Sequence, residues 1–101
     1  MKDGINSRGL LNALRQLQPE SALSVMHERP WYSLTFTGLQ LRISATLSTP
    51  DRADVADRFA KTLQDHEFDI RSQIVADIAV FDQIATRDAI TLTIDALLLE
   101  D

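Results

Sequence analysis

The chain has 101 residues, 45% of them hydrophobic and 25% charged, the make-up of one ordinary globular domain able to bury roughly 60–70% of its unfolded surface. It has no cysteine, which excludes disulfides, thiolate nucleophiles, iron–sulfur clusters and Cys-type zinc sites. Fifteen acidic residues against ten basic ones give a formal net charge of −5, which opposes non-specific binding to nucleic acid, and the arginines form no basic stripe.

The expected unit is a single domain over residues 1–101, with residues 1–5 flexible. No apolar run is long enough to cross a bilayer, and the N-terminus lacks the basic-then-apolar pattern of a secretory signal. A cytoplasmic protein without membrane association is expected, and the lack of cysteine suits that reducing compartment.

The first predicted helix runs from about Ser7 to Leu17. Asn6 or Ser7 can cap it, Leu10, Leu11, Leu14 and Leu17 form its apolar stripe, and Pro19 ends it. The stretch from Ala22 to Glu28 alternates and suits a short strand that bends at Pro30. From Trp31 to Leu47 the alternation is nearly unbroken. Tyr32, Leu34 and Phe36 share a face with Leu39, Leu41, Ile43, Ala45 and Leu47, and Thr37-Gly38 is expected to be the tight reversal between two strands, the glycine supplying a positive φ.

Ser48, Thr49, Pro50 and Asp51 announce a second helix reaching about His66, with Val55, Ala56, Phe59, Ala60 and Leu63 as its buried stripe. Two long strands follow. Phe68, Ile70, Ile74, Ala76, Ile78 and Val80 are expected inward on the first, and Ile90, Leu92, Ile94, Ala96 and Leu98 on the second, with a loop around residues 83–88. The order α-β-β-(β)-α-β-β predicts an α+β two-layer domain with an antiparallel sheet.

The outward side of the last hairpin is not uniformly polar, since it carries Val75, Ala79, Phe81, Leu97 and Leu99, and Trp31 shares its parity. The second helix covers one face of the sheet, so either the first helix or another chain must cover this one. Tyr32 is expected in the core and Trp31 outside it, under the first helix or at an interface.

Asp77 and Asp95 are the most chemically suggestive pair, diagonal neighbours on the outer face. Two close carboxylates can raise one pKa for acid–base work or bind a hard cation such as Mg²⁺. Arg42 and Arg71 can equally neutralise them as cross-strand ion pairs. His27 and His66 lie far apart in sequence, and neither has metal-ligand spacing. Three glycines make no phosphate-cradling loop, and no serine sits in a Gly-x-Ser-x-Gly elbow. No catalytic residue, metal site or cofactor is assigned.

Residues 29–38 (RPWYSLTFTG), residues 67–80 (EFDIRSQIVADIAV) and the terminal LLLED resemble short bacterial proteins of unassigned function, a likeness that implies no activity. The element order and acidic balance also resemble class I type III secretion chaperones, small acidic homodimers that bind a partner chain. The sequence departs from them by ending on a strand without a closing helix.

The expectation that follows is a non-catalytic interaction module, a homo-oligomer or the holder of a protein partner, with Trp31, Phe81, Leu97 and Leu99 as anchors. The alternative is a small-molecule- or metal-dependent enzyme or binding protein centred on Asp77, Asp95, Arg42 and Arg71.

Overall fold

The computed structural model of the chain describes residues 5–101; the expected flexibility of the first residues falls, for residues 1–4, outside the described residues. Helix α1 (Arg8–Leu17) leads into strands β1 (Ala22–Tyr32) and β2 (Thr37–Leu47), then helix α2 (Arg52–Asp65) and strands β3 (Gln73–Ala85) and β4 (Ile90–Glu100). All neighbouring strands pair antiparallel in the order β1-β2-β4-β3. The fold is α+β, with the element order α-β-β-α-β-β.

The two central strands follow the period of two without error. Leu39, Leu41, Ile43, Ala45 and Leu47 of β2, and Ile90, Leu92, Ile94, Ala96 and Leu98 of β4, are all buried on one inner face. Strands flanked on both sides are held in register by ladders on each edge, so alternation in sequence becomes alternation in space.

Both helices pack on that inner face. Val55, Ala56, Phe59 and Leu63 of α2 join Leu10 and Leu14 of α1 in one core with the inner residues of the sheet. Gly9 sits so close to the segment before β3 that a Cβ there would lie 2.5 Å from Ile70 Cγ2. The Arg8 amide donates to Asn6 Oδ1 at 3.0 Å, and the Gln18 amide closes the last turn of α1 on the Leu14 carbonyl at 2.9 Å, just before Pro19. The possibility that α1 covers the outer face is thereby corrected. A stripe of leucines states that a helix is half-buried but not which side of a sheet buries it.

The first hairpin also differs from expectation. Strand β1 passes straight through Pro30, whose missing N–H is tolerated on an edge strand, and among the described residues two strands rather than three precede α2. The reversal lies at residues 33–36, not at Thr37-Gly38. Ser33 N donates to the Phe36 carbonyl at 2.9 Å, and Ser33 Oγ accepts from the amide of Phe36 at 3.0 Å. Tyr32, Leu34 and Phe36 are therefore exposed at a hairpin tip rather than buried, Tyr32 to 71%. Gly38 is a strand residue without positive φ, opposite Trp31 on one side and Leu99 on the other.

Strand β3 departs from simple alternation because it contains two β-bulges, one at Ala76 and one at Phe81. Each inserts one unpaired residue and switches the parity beyond it. Val75 consequently turns inward and packs against the core, while Ile74 and Ala76, expected inward, are exposed. Between the bulges Ile78 and Val80 face inward as expected. Phe68 and Ile70 precede the strand and lean on the core. A tight turn at Arg71-Ser72, with Ser72 at φ 64°, then starts β3.

Candidate functional site

The outer face of the sheet has no helix over it among the described residues. Reading across its ladders in the order β1-β2-β4-β3 gives a set of rows. Trp31, Gly38, Leu99 and Ile74 form the first row; Arg29, Gln40, Leu97 and Asp77 the next; then His27, Arg42, Asp95 and Ala79. Further along stand Ser24, Ser44, Thr93 and Asp82, and finally Ala22, Thr46, Thr91 and Ile84. A bulge at Met26 in β1 and the one at Phe81 in β3 flank the middle of the face.

At its centre Arg42 and Asp95 face each other directly across the β2–β4 ladder. The guanidinium donates through Nε to Asp95 Oδ1 at 2.8 Å and through its second nitrogen to Oδ2 at 3.1 Å, a two-pronged pair. Its plane also lies over the Phe81 ring, 4.4 Å from the centroid. The hydrogen bond to Asp95 holds Arg42 above its ordinary pKa, with partial desolvation opposing and the charge attraction adding. Both side chains remain about 40% exposed (42% and 41%), so the pair orders the face more than it stabilises the fold.

A shallow depression of about 500 Å³ opens here, walled by His27, Arg29, Gln40, Arg42, Asp77 and Asp95. Asp77 pairs with Leu97 and Asp95 with Ala79, which makes the two carboxylates diagonal neighbours. Arg29 donates to Gln40 Oε1 at 2.8 Å. Arg71 is not brought to this cluster. It sits in the turn before β3, five positions ahead of the bulge residue Ala76 next to Asp77. The face thus gathers Arg42, Asp77 and Asp95 but leaves Arg71 aside.

For the catalytic alternative the geometry has a definite consequence. Asp95 spends both oxygens on Arg42, and the described residues contain no group of three His, Cys, Asp or Glu side chains placed to hold a metal ion. His66 lies elsewhere, at the end of α2, with its ring edge-on to Phe68 at 4.6 Å.

The apolar side chains read as outward lie on the outer face. Trp31 lies beside Gly38, Leu97 and Leu99 alternate along β4, and Phe81 is 61% exposed. Sequence reasoning missed Ile74, Met26, His27 and Arg29 on this surface. All four lie on edge strands whose parity is switched by a bulge, at Met26 or at Ala76, and a bulge leaves no mark in the spacing of hydrophobic residues. No helix among the described residues is long and apolar enough to cross a membrane. No family model matches the chain, and neither a curated protein nor a solved structure matches it.

Proposed function

We propose that the chain is a non-catalytic interaction module that holds a protein partner, a second copy or another chain, through the outer face of its sheet. The observation that carries this reading is the placement of both helices on the inner face, which leaves Trp31, Ile74, Phe81, Leu97 and Leu99 on a side with no covering element among the described residues. A sheet face carrying this much apolar surface gains free energy when another surface removes it from water.

The face is favoured over the sheet edges. Strand β1 is guarded by Pro30, the neighbouring Glu28 and Arg29, and the bulge at Met26; β3 carries two bulges. Prolines, charges and bulges are the devices that keep an edge from recruiting another strand.

Replacing Phe81 and Leu99 together by serine tests the reading. Both side chains touch the outer side, so the double variant is expected to keep the far-UV circular dichroism and cooperative melting of the wild type. Its association, followed by sedimentation, should weaken by more than about tenfold, as expected for loss of buried apolar anchors. A variant that unfolds would place these residues in the core, and one that associates like the wild type would remove the face from the interface.

A further inference from the structure

We propose that the occupant of the outer face is a second copy of this chain, seated about a two-fold axis that runs along the seam between β2 and β4. This rests on the reading of that face as an interaction surface and adds the partner and its orientation.

The argument is the self-complementarity of the rows. Such an axis lays β1 of one copy over β3 of the other and β2 over β4, at the same height along the strands. Trp31 then meets the second copy's Ile74, apolar on apolar, and Arg29 meets its Asp77, cation on anion. At the far end Ala22 meets Ile84. In the middle, each Arg42 lies over the other copy's Asp95, so two internally neutral pairs stack with opposite charges facing. The bulged residues Met26 and Phe81, both exposed apolar side chains on opposite edges, come to neighbouring heights.

The alternative axis, perpendicular to the strands through the central row, lays each strand over its own mate. It puts Asp77 of β3 against the second copy's Asp82, and Arg42 of the central row against the second copy's Arg42. The seam axis avoids both clashes. Size agrees as well: four strands of about eleven residues present roughly 700 Å² on one face, against the about 800 Å² per partner of a standard stable interface. Charge agrees too. The face carries Arg29 and Arg42 against Asp77, Asp82 and Asp95, so most of the net charge of −5 lies elsewhere and is not pressed together.

Charge exchange tests the orientation. Arg29→Asp and Asp77→Arg are each expected to weaken the dimer by more than about tenfold, because each creates two like-charge contacts. The double variant should dimerise within about threefold of wild type, and an equimolar mixture of the two single variants should form a heterodimer, in which every such contact is again opposite in sign. Arg29 and Asp77 stand on opposite edges of their own sheet, about 14 Å apart, so rescue cannot arise within one chain. A wild type that stays monomeric overturns the second copy as partner, while a foreign partner on the same face would still satisfy the interaction reading. A dimer that loses Phe81 and Leu99 without weakening overturns that reading itself. A dimer weakened by their loss but indifferent to charge exchange overturns the seam axis alone.

Discussion

Leu14→Ala is expected to lower the unfolding free energy by about 2–5 kcal/mol, the usual cost of emptying a fully buried leucine site. Leu14 is 0% exposed and belongs to the core that also holds Ile43, Leu92 and Phe59, so the vacated volume lies inside that core. The whole domain is expected to hold only about 5–15 kcal/mol, which makes this a large fraction of it. The consequence reaches function, because α1 spends its apolar stripe on the inner face and has none left for the outer one. Chemical denaturation of the variant checks it: a loss below about 1 kcal/mol would mean that α1 is loosely docked and free to shield the outer face instead.

Gly38→Ala is expected to destabilise by about 1–3 kcal/mol, the range for forcing an atom into packed surroundings. The sign is what makes the substitution informative. Glycine inside a strand is ordinarily worse than alanine by about 0.5–1 kcal/mol, so propensity alone expects a gain. Here the added Cβ would stand 2.6 Å from the Leu98 carbonyl oxygen, 3.0 Å from Leu99 Cδ2 and 3.3 Å from Trp31 Cε3. The first of these is backbone of the adjoining strand, which can yield only by prying β2 from β4. Trp31 is the single tryptophan of the chain, so its emission should change along with the melting temperature. A variant as stable as wild type, with unchanged emission, would contradict the close packing of Trp31 and Leu99 around this position.

The same two residues show how far the sequence could be read. The alternation of β2 and β4 was legible because central strands have no freedom to slip, and Leu39 to Leu47 and Ile90 to Leu98 lie where the period of two places them. The helix after Pro50 was legible for a similar reason, since Val55, Ala56, Phe59 and Leu63 recur at helical spacing. Gly38 misled because glycine serves two needs, a positive φ or a close approach, and the sequence does not say which. The turn was instead made by Ser33, whose hydroxyl captures the amides of the reversal.

Alternation continued through Tyr32, Leu34 and Phe36 without meaning burial, because the strands overrun the helices that bury them. An eleven-residue strand is about 37 Å long and the fourteen-residue α2 about 21 Å. In the candidate site, the diagonal of Asp77 and Asp95 followed from aligning the two inward sets of the last hairpin, whereas the direct facing of Arg42 with Asp95 needed the β2–β4 register. Nor did Arg29 and Ile74 follow, since their positions depend on bulges at Met26 and Ala76 that only pairing reveals. Arg71 was lost to the site for a further reason: β3 begins at Gln73, two residues after it.

The measurement that bears most directly on the outer face as an interface is the molar mass of the wild-type chain in solution, by light scattering across a wide range of concentrations. The expected result is twice the chain mass at high concentration, falling toward the monomer on dilution, with the Phe81→Ser and Leu99→Ser double variant remaining monomeric throughout. A double variant that dimerises with the same concentration dependence as the wild type, while both are folded, would contradict the assignment of that face.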